Sequence, residues 1–206
     1  MLYKNPSEKI KLVAVKQNGC SIKYIKNPSK EVKLAAIEEN GHSIQFIHNP
    51  SKELQLEAVK QNGFSIQYIK KPSEKIKLAA IKQCSLCIED IRNPSEKMKL
   101  LAVKQNGYAL QYIKNPSKEV QLAAVKQFGL SIVSIKSPSK EIQLAAVKQN
   151  PSSIKFIKNP SKEVQQQAVV ASKYNLNVIG TINLSRLDTK TLETIYNNVI
   201  IRDIIE

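Results

Sequence analysis

The chain has 206 residues, a formal net charge of +15 and 42% apolar residues, enough apolar material for one domain or a short array and too much for a disordered chain. No stretch approaches the roughly 18 apolar residues of a membrane span, and Met1-Leu2-Tyr3-Lys4 opens no apolar leader. Three cysteines, Cys20, Cys84 and Cys87, are too few for a disulfide framework and point to a soluble, intracellular (cytoplasmic) protein in reducing surroundings.

Proline recurs every 22 residues at Pro6, Pro28, Pro50, Pro72, Pro94, Pro116, Pro138 and Pro160. Glycine keeps the same period at Gly19, Gly41, Gly63, Gly107 and Gly129, with Ser85 and Pro151 standing in its place twice. A fixed period of this size signals a repeat architecture. In the first repeat Asn5-Pro6 reads as a helix start, with Asn as N-cap and Pro at the first helical position. Leu, Ala, Lys and Gln sustain a helix of about 12 residues, which Gly19 is expected to end in the left-handed conformation.

Ile10, Leu12, Val13, Ala14 and Val15 surround most of that first helix. A helix apolar on most sides is buried on most sides, and a 22-residue repeat finds that burial only against its neighbours. The tail with Ile22, Tyr24 and Ile25 is too short to stand alone and reads as a short α or 3₁₀ turn leading to the next Pro. Met1 to Lys4 offer almost no cap to the first repeat, which leaves end-to-end self-association as one expectation.

The fourth repeat carries Cys84-Ser-Leu-Cys87 beside Glu89, Asp90 and Arg92. A structural zinc site needs two further ligands and a redox pair needs a preceding strand; neither is in the sequence, so no metal and no cofactor is expected. The eighth repeat decays after Pro160 into Gln165, Gln166 and Gln167. From Asp188 a different helix begins, with Leu192, Ile195, Tyr196, Val199 and Ile200 spaced for one face. The expected fold is all-α: an α-solenoid superhelix of about eight 22-residue helix-turn-short-helix repeats over residues 1–180, with a C-terminal capping helix in 181–206 of the same domain.

The string Asn-Pro-Ser-x-x-Val-x-x-Ala-Ala-Val resembles the leucine-rich repeat variant family and, more distantly, the second helix of HEAT repeats. With its Val-Lys-Gln-Asn-Gly ending it is most similar to repeats of bacterial, phage and giant-virus proteins grouped as a domain of unknown function. The resemblance spans roughly residues 5 to 180. It implies a superhelix in which an α-helix and a 3₁₀ helix alternate, and it implies no function, since solenoids share a fold and differ in what they hold.

Aligning the repeats by column separates frame from surface. One tail column is aromatic at Tyr24, Phe46, Tyr68, Tyr112 and Phe156, broken by Asp90 and Ser134, and ordinary burial tendencies assign it to the core. The column before each Asn-Pro is basic at Lys4, Lys26, Lys70, Arg92, Lys114, Lys136 and Lys158, with His48 between. A second ladder runs through Lys16, Lys60, Lys82, Lys104, Lys126 and Lys148, interrupted by Glu38. The column after the Gly is the most variable, Cys20, His42, Phe64, Leu86, Tyr108, Leu130 and Ser152, and is a candidate contact row.

Two histidines, no Gly-rich phosphate loop and acids confined mainly to Glu/Lys pairs leave no catalytic constellation. Composition and columns therefore point to a non-enzymatic scaffold for macromolecular binding. The first reading is an adaptor or inhibitor of another protein, an acidic one, docking on the variable row and on Gln45, Gln67 and Gln111. The alternative is sequence-independent nucleic-acid binding, one phosphate per Lys or Arg rung. A solvated lysine face that keeps the array soluble explains the ladders without any partner.

Overall fold

The computed structural model describes the backbone of residues 6–205 and their side chains except Leu176, Arg186 and those from 199 on. Its helices are α1 (Glu8–Gln17), α2 (Lys30–Glu39), α3 (Lys52–Gln61), α4 (Glu74–Gln83), α5 (Glu96–Gln105), α6 (Lys118–Gln127), α7 (Lys140–Gln149), α8 (Lys162–Ala171), α9 (Leu176–Ile179) and α10 (Thr189–Ile205). A six-residue 3₁₀ helix follows each of α1 to α7. The described residues contain no strand, and the repeated pair of an α-helix and a 3₁₀ helix makes an all-α solenoid.

The chain divides within α5 into two compact units, 1–101 and 102–206. In the first, α1 packs on α2, α2 on α3 and α3 on α4, while the 3₁₀ helices stack on one another in the same order. In the second, α6 packs on α7 and α7 on α8. The third and seventh repeats bury the same columns: Leu54, Ala58, Val59, Ile66 and Ile69 in the third recur as Ile142, Ala146, Val147, Ile154 and Ile157 in the seventh. A fully buried Val, Leu or Ile contributes about 1.5–3 kcal/mol, so stacking, not helix propensity, holds ten-residue helices in place.

Helix starts differ from the sequence expectation. The N-cap is the Ser two residues beyond Asn: Ser51 is extended, its Oγ accepts from the Leu54 N–H at 3.3 Å, and the helix begins at Lys52. Ser29, Ser117 and Ser139 do the same for Val32, Val120 and Ile142. The Asn has another task. Asn27, Asn49, Asn93, Asn115 and Asn159 have φ between 46° and 49°, the left-handed region that Asn tolerates better than other residues with a Cβ. Pro then sits in the turn between them, outside the helix.

Helix ends differ as well. Each of α1 to α7 stops at an extended residue such as Asn62, and no described Gly has positive φ. Asn62 then serves as N-cap of the following 3₁₀ helix, its Oδ1 accepting from the Phe64 N–H at 3.0 Å. Gly is required by close approach between repeats. A Cβ on Gly41 would lie 2.6 Å from the Ala58 carbonyl oxygen, and on Gly129 2.6 Å from that of Ala146.

The same glycines donate their N–H to the side chain that ends the next repeat's helix. Gly41 reaches Gln61 Oε1 at 2.7 Å, Gly63 reaches Gln83 at 2.6 Å, and Gly107 and Gly129 reach Gln127 and Gln149 at 2.5 Å. Gly19 meets Glu39 in the same way. The amide nitrogens of Gln61 and Gln149 also donate back to the Glu39 and Gln127 carbonyls, at 3.4 Å. A buried N–H left unpaired costs about 1–3 kcal/mol, so this clasp explains the Gln and the Gly of Val-Lys-Gln-Asn-Gly together.

The C-terminal segment covers the last repeat. Val178, Ile179, Ile182, Leu187 and Ile195 join one buried cluster with Val147, Val164 and Val169, and Leu192 packs against it. Asp188 opens α10 by accepting from the Thr191 N–H at 2.8 Å, and Gln166 of α8 donates to Asp188 and Thr191. Tyr196, expected on the capping face, is instead exposed; the side chains of Val199 and Ile200 lie outside the described residues. At the other end Ile10 and Val13 of α1 are exposed, unlike their counterparts in later repeats.

Candidate binding surface

Both basic ladders face solvent. Lys26, Lys70, Arg92, Lys114, Lys136 and Lys158 are exposed, as is His48, and the left-handed Asn follows Lys26, His48, Arg92, Lys114 and Lys158 directly; Lys4 lies outside the described residues. None of these six cations makes an ion pair with a described residue. Lys16, Lys60, Lys82, Lys104, Lys126 and Lys148 are exposed at the helix C-termini, where the macrodipole favours cations. Lys60 pairs with Glu57 at 3.2 Å, and Lys126 adds to the field that Glu141 feels.

Three acidic side chains are engaged elsewhere, at the starts of α7, α8 and α10. Lys118 meets Glu141 at 2.8 Å, Lys140 meets Glu163, and Lys162 meets Asp188 at 3.6 Å. The Lys118 ammonium holds the Glu141 carboxyl below its ordinary value; at Asp188 the Thr191 N–H is the leading cause of a similar lowering. These pairs are exposed and individually weak. Their consequence is electrostatic: the joints from α6 to α10 are neutralised internally along this edge, while the six cations beside the turns stay unpaired among the described residues.

The variable row is half-buried between successive repeats. His42 accepts from Asn62 Nδ2 at Nε2 over 3.1 Å, which leaves Nδ1–H to donate to Ser65 Oγ at 3.3 Å. Its ring meets Tyr68 edge to face with centroids 5.4 Å apart. Cys20, Phe64, Leu86, Leu130 and Ser152 are half-buried in the same way, and Tyr108 is exposed and packs edge to face on Tyr112.

Four of the five rings of the aromatic column, expected in the core, lie at the surface, and Tyr112 is half-buried. Tyr24 is 78% exposed, Phe46 39%, Tyr68 38% and Phe156 50%. A 3₁₀ helix repeats every three residues, so Ile22 and Ile25 turn inward and Tyr24 turns out. Each ring stands two residues before a ladder position, which interleaves aromatic side chains with Lys26, His48, Lys70, Lys114 and Lys158. Gln45, Gln67 and Gln111 are exposed in the neighbouring column, the first two tied back to the His42 and Phe64 carbonyls at 3.1 and 3.0 Å.

An open groove of about 560 Å³ lies between the second and third 3₁₀ helices, walled by Phe46 and Tyr68 and edged by His48, Lys70 and Lys71. A smaller hollow of about 370 Å³ carries Lys104 and Lys126 of the other ladder around Leu122 and Ala123, with Glu119 at its edge. Each of these hollows is thus bounded by rungs of a single ladder. Sequence reasoning missed the groove because it placed its walls in the core.

The paired cysteines stay free. Cys87 is buried and its thiol is pushed up to about 12, first by that burial and then by Cys84 and Asp90, whereas a reactive thiol needs a depressed value. Among the described residues no three His, Cys, Asp or Glu side chains are gathered where they could hold a metal, and no helix is long and apolar enough to cross a membrane.

The stacked helices and outward columns define an all-α repeat protein. Residues 29–72, a stretch of two repeats that includes both walls of the groove, match a family described as a domain of unknown function (DUF4116). No curated protein and no solved structure matches the chain.

Proposed function

We propose that the chain is a non-catalytic scaffold that binds another protein through side chains carried one per repeat, acting as an adaptor or inhibitor of an acidic partner. The observation that carries this reading is the division of charge: Lys118, Lys140 and Lys162 at helix N-termini are paired with Glu141, Glu163 and Asp188, while Lys26, Lys70, Arg92, Lys114, Lys136 and Lys158 have no ion pair among the described residues. Such a surface steers acidic partners and raises their rate of encounter. The alternation of α and 3₁₀ helices supports placing the repeats with those that resemble leucine-rich repeat variants. Three free cysteines fit a reducing, intracellular setting.

Exposed rings beside cations favour a second reading, nucleic acid held by stacking and phosphate contacts. The experiment that separates the two uses the tagged full chain. Capture from a native lysate at physiological salt is expected to retain a protein in stoichiometric amount, and labelled single- and double-stranded oligonucleotides are expected to be released below about 0.15 M salt. Oligonucleotide binding that persists there with a salt slope of several phosphate contacts, each about 0.7–0.9, and no retained protein would transfer the function to nucleic acid.

A further inference from the structure

Two successive slots in the aromatic column differ in whether they are already filled. Lys23 Nζ lies 4.7 Å from the Tyr24 centroid and 5.9 Å from that of Phe46, so the first slot holds a cation of the protein itself. One repeat further on the equivalent residue is Gln45, whose amide turns back to the His42 carbonyl at 3.1 Å. The space between Phe46 and Tyr68 therefore stays open, as the groove of about 560 Å³. Its edge carries Lys70, Lys71 and His48, and no carboxylate lines it.

We propose that this groove docks a short, extended, acidic peptide segment of a protein partner. An aromatic or large apolar side chain enters between Phe46 and Tyr68, and the flanking carboxylates meet Lys70 and Lys71. The proposal rests on the protein-binding reading above and gives it a site. Rigid aromatic walls make good anchors because they bury area with little loss of side-chain freedom. The charge of the edge selects the acidic flanks.

The footprint favours a peptide over a nucleic-acid strand. Lys23 fills the slot on one side, and on the other Asp90 stands where the next ring would be, exposed at the surface. Single-stranded nucleic acid gains its affinity from several stacked bases and several phosphates in a row. Here one ring pair is open and a carboxylate lies in line, which repels a continuing phosphodiester. A peptide needs one anchor and two or three charges.

The test is fluorescence anisotropy of the full chain, at 0.15 M salt, with a labelled hexapeptide Glu-Asp-Phe-Glu-Asp-Glu and the same peptide with Gly for Phe. Burial of one Phe is expected to make the first bind at least about tenfold tighter. Gln45→Lys adds a cation yet supplies the side chain that fills the first slot, so it should weaken the Phe peptide about tenfold and leave the Gly peptide no weaker. Tyr68→Ala should weaken the Phe peptide and Phe156→Ala should not, with melting curves confirming that each variant folds.

Equal binding of the two peptides, no binding of either at millimolar concentration, or tighter binding by Gln45→Lys would overturn the groove while leaving a protein partner on the ladders untouched. Labelled oligothymidylate that binds more tightly than both peptides, and is lost in Tyr68→Ala, would overturn the groove's occupant and the protein-binding reading together.

Discussion

The joint between α6 and α7 and the joint between α7 and α8 stack helices of the same length, yet only the first is clasped. Gly129 donates to Gln149 at 2.5 Å and Gln149 donates back to the Gln127 carbonyl. One repeat on, Pro151 has no N–H to give and Ala171, at the position of Gln149, has no amide to receive it. Both partners are lost at once. The clasp is thus one device spread over two positions 20 residues apart, and it is abandoned where α8 ends in Ser172 and hands the chain to Tyr174 at φ 62° and the capping segment.

The comparison breaks most severely at the glycine. Gly129→Val drives a Cβ to 2.6 Å from the Ala146 carbonyl oxygen and 2.8 Å from Gln149 Oε1, and is expected to cost about 3 kcal/mol in urea unfolding; a loss below about 0.5 kcal/mol would mean the joint yields freely. Gln149→Ala leaves the buried Gly129 N–H unpaired and should cost about 1–3 kcal/mol, whereas Ala171→Gln alone should change stability little, since Pro151 offers it nothing.

Ser139→Ala and Ser161→Ala should each cost about 1 kcal/mol, equally on both sides of the comparison, because the cap lies within a repeat. The smallest effect is a gain. Pro151→Gly with Ala171→Gln rebuilds the clasp, and the double variant should exceed the sum of the singles by about 0.5–1 kcal/mol; strict additivity would mean no bond had formed.

The period of Pro and Gly made the solenoid legible, because stacking identical apolar columns is the one way such short helices can be buried. Helix boundaries were less legible. Asn-Pro and Asn-Gly each carry a local signal for a cap and a left-handed stop, but Ser after Pro is the stronger N-cap here and Asn takes the positive φ. The role of Gly was hidden because it concerns two repeats at once: Gly63 and Gln83 explain each other only across the joint. The loss of both at Pro151 and Ala171 was the available signal. The aromatic column was misplaced by treating Tyr24 and Phe46 as ordinary burial candidates. The spacing of Ile22 and Ile25, or Ile44 and Ile47, read at the three-residue period of a 3₁₀ helix, places those rings outside.

Clasp, caps and apolar columns hold the repeats together without the ladder beside the turns, to which we assign the contact with a partner as a proposal. The most direct test reverses Lys26, Lys70, Lys114 and Lys158 to Glu and follows melting temperature and partner capture on the same preparation. With no described ion pair at these four lysines, the melting temperature should hold within about 2 °C while the acidic partner is lost. A partner retained at full stoichiometry by the reversed chain would contradict the account and reduce the ladder to a solvated face.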